Sequence, residues 1–213
     1  MEKLVNLEKA LPSDSVRGKK PVVIGLVGRA ASGKDKVVNR LNQKFGVPII
    51  STGDITREIA ENEGLKSTRD NLQQISKKYF QKYGPEYFAQ KVLERIKQES
   101  SPVVAWTGIR TPTDVQVFKE AYGERLHIIH VQVTDPRIRF ERSRLRAEAR
   151  DPASFEAFLR QEDAEEKIFQ VHKVISMADL TISNDGSLEE LYAKVDELAM
   201  RLGLSPMRRS TMA

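Results

Sequence analysis

The sequence predicts an α/β protein in which a five-stranded parallel sheet is sandwiched by helices. Three observations predict it. Short apolar runs at 21–27, 47–51, 102–107, 126–133 and 180–183 alternate with longer segments of helical periodicity. The first run, PVVIGLV, is continuously apolar and rich in β-branched residues, as suits a strand covered on both faces. Repeated strand–helix–strand spacing then favours parallel pairing through right-handed crossovers.

Composition sets the limits. The chain has 213 residues, enough for one domain, or one domain carrying a small inserted cap. Charged residues make up 31% and the net charge is +5, which agrees with polyanionic ligands without requiring nucleic acid. The absence of cysteine excludes disulfides and thiolate metal sites. No run approaches the roughly 18–20 apolar residues of a membrane span, and the first twenty residues lack an apolar signal-peptide centre. The expectation is a cytoplasmic protein, monomer or homodimer, with no membrane or nucleic-acid partner.

Residues 1–20 read as a surface extension before the domain, which covers 21–202, and 203–213 as a tail. After the first strand, Gly28, Arg29, Ala30, Ala31, Ser32, Gly33 and Lys34 have the G-x-x-x-x-G-K spacing. Small residues let such a loop curl so that backbone N–H groups point inward, and Lys34 opens a helix whose positive end faces the same spot. That combination suits a nucleoside triphosphate, with Lys34 expected at its phosphates. Asp35 stands where Ser or Thr commonly meets Mg²⁺.

The first helix runs from 33 to about 45, with Val37, Val38, Leu41 and Phe45 on one face, and stops at Gly46. The second strand leads through Thr52-Gly53-Asp54 into a helix over 55–63, with Asp54 placed as its N-cap. Helices follow over 67–80 and 86–99, separated by Gly84-Pro85, and with the helix before them form a cap over about 54–99. They gather Tyr79, Phe80, Tyr83, Tyr87 and Phe88, which serve helix packing or, alternatively, a stacking surface for a base. The third strand ends in Thr107-Gly108-Ile109-Arg110, with Trp106 packed under the site there or, alternatively, contacting substrate. A helix over 112–122 and the fourth strand come next.

The helix over 137–149 carries arginines at 137, 139, 142, 144 and 146, and Arg150 follows it. Arg142, Arg146 and Arg150 recur at i, i+4, i+8 and share one face, which suits a lid over about 142–160 that closes on phosphates. Arg137, Arg139, Arg144 and Arg160 read as solvated, or paired with Glu141, Glu148 and Asp163. Shorter helices over 154–161 and 164–177 precede the fifth strand, the Asn184-Asp185-Gly186 turn and a last helix over 187–202. The three histidines lack metal-ligand spacing.

Ligands of such sheets bind at the carboxyl ends of the strands, where the unusual letters lie. There the chain resembles the nucleoside-monophosphate kinase group of P-loop proteins. Ser51-Thr52-Gly53-Asp54-Ile55-Thr56-Arg57 is similar to the STGDxxR segment of adenylate kinases, which implies Thr52 near an acceptor base and Arg57 on its phosphate. The Gly108-x-Arg110 turn resembles the family's D-G-x-R segment, implying a second phosphate contact from Arg110. The ending from Ala178 to Leu191 is similar to that of dephospho-CoA kinases, which implies that Asn184 and Gly186 lie beside the donor adenine. Residues 21–202 also resemble archaeal adenylate-kinase-related proteins, while the phosphate loop and 107–123 resemble phage deoxynucleoside-monophosphate kinases and animal phosphomevalonate kinases. The strand order implied is 2-3-1-4-5.

The resemblance implies transfer of a γ-phosphoryl group from MgATP to a small phosphate-bearing acceptor, a nucleoside or deoxynucleoside monophosphate. Lys34, Arg142, Arg146 and Arg150 would neutralise the transferring charge. Such sites commonly pair a loop hydroxyl with a strand-three carboxylate on Mg²⁺; the letters here suggest an exchange, with Asp35 giving the carboxylate and Thr107 the hydroxyl. Asp54 is a further acceptor-contacting carboxylate, or only a helix cap. Dephospho-CoA and phosphomevalonate are alternative acceptors, and a nucleotide-binding switch acting through a partner is the alternative of another class.

Overall fold

The computed structural model describes residues 20–146 and 152–207; the extension over 1–19, Arg150 and the end of the tail lie outside them. The five strands β1 (Val22–Val27), β2 (Ile49–Ser51), β3 (Val103–Thr107), β4 (Leu126–Gln132) and β5 (Leu180–Ser183) form one parallel sheet in the order 2-3-1-4-5. β1 is central, and its side chains alternate between two cores. Val23 and Val27 share one core with Trp106, Phe118 and Ile128; Ile24 and Leu26 share the other with Val37, Leu41 and Leu191. A parallel sheet covered on both faces needs apolar residues on both, which explains the unbroken first run.

On one face lie α1 (Lys34–Phe45) and α9 (Leu188–Arg201), tied by Arg40 and Lys44 on Asp196 at 2.7 Å each. On the other lie α2 (Thr52–Asn62), α4 (Tyr87–Ile96) and α5 (Pro112–Tyr122), with α3 (Arg69–Tyr83) packed on α2. The phenol rings of Tyr83 and Tyr87 stack, with Tyr79 beside them, at the α3–α4 junction. α5 starts in a full capping box: Thr111 accepts from the Asp114 N–H, Asp114 accepts from the Thr111 N–H, and Pro112 fills the first turn.

Two local expectations are corrected. Ser51, not Asp54, caps α2, its hydroxyl accepting from the Gly53 N–H, because the helix begins at Thr52. After α6 (Pro136–Arg146), the region expected to break near residue 163 is one helix, α7 (Phe155–Phe169), and the break falls at Gln170 before α8 (Val171–Ser176). Gln170 takes a left-handed conformation, φ 51°, ψ 48°, rare for a side-chain-bearing residue. Among the described residues no helix is long and apolar enough to cross a membrane.

Candidate functional site

The loop from β1 to α1 is held in its curled form from three sides. Gly28, Ala31 and Gly33 have φ of 148°, 55° and 97°, which turns successive N–H groups toward one concavity. A Cβ at Gly33 would run into the amide of Asn184. That amide, buried at the end of β5, donates to the Ser32 carbonyl at 2.8 Å. From α6, Arg139 donates to the Ala30 carbonyl at 3.3 Å while pairing with Glu162 of α7. The expectation of a solvated Arg139 is corrected: it is 4% exposed, and its second contact to Glu162 is 2.8 Å.

Within the loop, the Lys34 ammonium donates to the carbonyls of Gly28 at 2.7 Å and Arg29 at 2.8 Å. Burial pushes its pKa down to about 8, although the charges of Asp35 and Glu165 oppose the shift.

This loop floors a cleft of about 910 Å³. Lys34, Arg57 from α2, Arg110 from the turn after β3 and Arg146 from α6 all line it. With Arg29 of the loop they make five cations against the three carboxylates of Asp35, Glu162 and Glu165, which suits the cavity to anions. Arg57 also pairs with Asp54 one turn back, and both are exposed. Arg110 is fixed through its backbone, its N–H donating to Asp114 at 3.0 Å. Burial raises the Asp114 carboxyl, and its bonds from Arg110 and Thr111 work against that. The Arg110 guanidinium lies 5.5 Å from the centre of the Phe169 ring. The apolar part of the wall includes Leu72, Ile109, Phe169, Val171, Val174 and Ile175.

Other candidates lie elsewhere. Thr52 is buried, with its hydroxyl accepting from the Trp106 indole at 3.2 Å, and the indole stacks on Phe118. Gly108, at φ 82°, brings the β3 turn so close to Thr52 that a Cβ would sit 3.0 Å from the Thr52 Cβ. Thr107 is buried at the end of β3 and is not on the cleft wall, whereas Asp35 is. Arg142 turns to the Gly186 carbonyl at 3.4 Å, outside the cleft lining. Among the described residues no three acidic or histidine side chains form a metal cage. Of the cleft-lining carboxylates, Asp35 follows Lys34 directly and would be the one offered to a Mg²⁺ ion on the phosphates.

Sequence reasoning missed the contribution of α7 and α8. Besides Phe169 and the α8 apolar residues, Glu162 and Glu165 line the cleft. Glu166 pairs with Arg29 at 3.4 Å and binds both Nδ1 and the backbone N–H of His172. Burial works to raise the Glu166 carboxyl, and its bonds from His172 with the Arg29 charge outweigh that, holding it below the usual range.

Known proteins share both the sequence pattern and the fold. Residues 27–158 match the family described as AAA domain. A UPF0200 protein of Thermococcus gammatolerans is 34% identical over 183 residues, 85% of this chain and 95% of that protein. The chain belongs to the UPF0200 family. A second member, from Thermococcus onnurineus, is 35% identical over 184 residues, 85% of this chain and 98% of its own. Among solved structures, TT1252 from Thermus thermophilus matches with a TM-score of 0.56 at 22% identity, covering 86% of this chain and 99% of that one. A shikimate kinase from Bacteroides thetaiotaomicron matches with the same score and the same coverage at 16% identity. This UPF0200 chain thus has the P-loop kinase fold.

Proposed function

We propose that this UPF0200 protein transfers the γ-phosphoryl group of MgATP to a small phosphate-bearing acceptor, a nucleoside or deoxynucleoside monophosphate. The observation that carries the reading is that Arg57 of α2 and Arg110 of the turn after β3 share one cleft with Lys34 and its phosphate loop. A nucleotide switch needs one phosphate cradle; a kinase for a phosphorylated acceptor needs a second cationic pair across from it.

In this reading the loop amides of 28–34 and Lys34 hold the β- and γ-phosphates, and Asp35 stands at the metal. Mg²⁺ would supply charge neutralisation across the phosphates. Arg57 and Arg110 orient the acceptor phosphate, whose oxygen is already an anionic nucleophile and needs no base. Arg146 reaches the cleft from α6 and balances charge as the phosphoryl group passes, whereas Arg142 points to the Gly186 carbonyl beside the cleft. Asn184 acts on the donor through the Ser32 carbonyl. The apolar wall of Phe169 and α8 excludes water, which otherwise takes the phosphoryl group.

Coupled ADP release measured over AMP, CMP, UMP, GMP, their deoxy forms, dephospho-CoA and phosphomevalonate tests the reading. Stimulation by one or more monophosphates is expected. Turnover no higher than with water alone, for every compound, would remove it.

A further inference from the structure

Arg29 has a second claimant inside the protein. Its guanidinium lines the phosphate cleft, yet it is bound 3.4 Å away by Glu166, near the end of α7. Glu166 is in turn held by His172 across the left-handed Gln170 corner, through the backbone N–H at 3.2 Å and through Nδ1. The carboxylate is therefore pinned by the corner, whereas Arg29 sits at the first variable position of a loop shaped for anions. The 3.4 Å contact is long for a charge-assisted bond, and both partners keep some exposure, 36% for Arg29 and 24% for Glu166.

We propose that Glu166 is a positioning residue that competes with the triphosphate for Arg29: the guanidinium leaves the carboxylate for phosphate when the donor enters, and returns when it departs. This rests on the ATP-binding reading above. A triphosphate offers more negative charge and more acceptor oxygens than one carboxylate, so the exchange runs toward the donor. Glu166 keeps its two bonds from His172, so no buried carboxylate is stranded. The exchange also releases the phosphate loop from the corner that carries Phe169, whose ring lies under Arg110. Donor arrival is thereby felt at the wall that faces the acceptor.

Calorimetry with AMP-PNP and magnesium on the full chain tests this, using Glu166→Gln, Arg29→Met and the double variant. Gln keeps an oxygen for the His172 N–H and removes the competing charge. Glu166→Gln is expected to tighten AMP-PNP about two- to five-fold, the worth of a partly exposed ion pair. Arg29→Met should weaken it, and the double variant should match Arg29→Met, because with Arg29 gone there is nothing left to compete for. Should Glu166→Gln fail to fold, Glu166→Asp, whose shorter side chain cannot span the gap, is expected to tighten binding in the same way. A folded Glu166 variant with unchanged or weaker affinity, or tightening that persists without Arg29, overturns the proposal. If the parent itself gives no heat with AMP-PNP, the donor reading fails first and the exchange falls with it, an outcome that the parent titration alone reports.

Discussion

Arg139 and Glu162 meet as a buried two-pronged ion pair between α6 and α7, and the same guanidinium reaches the Ala30 carbonyl in the phosphate loop at 3.3 Å. The two residues are 4% and 8% exposed. Their pairing joins the base of the arginine-bearing lid helix to the loop that it overhangs.

Breaking the pair should therefore be costly, whereas replacing both partners should not. Glu162→Gln leaves a buried guanidinium without a counter-charge, which typically costs about 3–5 kcal/mol. Replacement by Met at 139 and Leu at 162, where the centre of the Phe158 ring lies 5.4 Å from the Arg139 guanidinium, should recover most of that loss in urea denaturation. The double variant still lacks the donor to Ala30, so its affinity for an ATP analogue should stay below the parent's. Recovery of both stability and affinity would show that the pair only packs the helices.

The arginines of the acceptor side predict a split in kinetic constants. Arg57→Ala and Arg110→Ala each remove charge-assisted hydrogen bonds worth about 1.5–3 kcal/mol, or roughly 10- to 100-fold. The loss should fall on the KM for the monophosphate, with the KM for ATP within about three-fold of the parent. Arg110→Lys should rescue only in part, since a lysine cannot present the planar fork to a phosphate. Equal losses for both substrates would place these side chains on the donor instead.

Asn184 offers a test of the loop brace. Its amide donates to the Ser32 carbonyl at 2.8 Å in a buried setting. Asn184→Ala strands that carbonyl and should cost about 1–3 kcal/mol of stability. Asn184→Asp should be worse, because it sets a carboxylate oxygen against a carbonyl oxygen beneath a loop meant for anions. Thermal melts and ATP-analogue titrations should rank parent, Ala and Asp in that order; an Asp variant equal to the parent would remove the brace.

What could be read from the chain and what could not divides by sequence distance. The strand order followed from a resemblance, but the strands themselves and the G-x-x-x-x-G-K loop were legible because both are patterns of near neighbours. Arg139 looked like any arginine on a charged helix; its partner lies 23 residues on, and nothing local marks Glu162 as buried. Thr52 occupies a motif position, yet Trp106, 54 residues away, takes its hydroxyl. The Gln170 corner carries no glycine or proline to announce it. Tertiary packing of Phe169 and the α8 apolar residues into the cleft imposes a left-handed turn that local preference disfavours.

Lys34 gives the last prediction, in which stability and function pull apart. The folded pKa of about 8 lies below a lysine's ordinary 10.5, and burial is the main cause. Below pH 8 both folded and unfolded chains carry the proton, so the whole penalty of burying the ammonium is present. Between pH 8 and 10.5 the unfolded chain binds more protons than the folded one, so stability rises with pH across that window. The full span is worth on the order of 3 kcal/mol. Lys34→Met lacks this contribution, so the difference in unfolding free energy, parent minus variant, should increase from pH 8 toward 10. A bound triphosphate reverses the local balance by placing negative charge at the ammonium. Binding an ATP analogue at pH 9 should therefore draw a proton from the buffer, seen as a calorimetric heat that changes between two buffers of different ionisation enthalpy. In Lys34→Met that buffer dependence should vanish with the affinity, and a parent whose binding heat is the same in both buffers would place the lysine's charge somewhere other than on the phosphates.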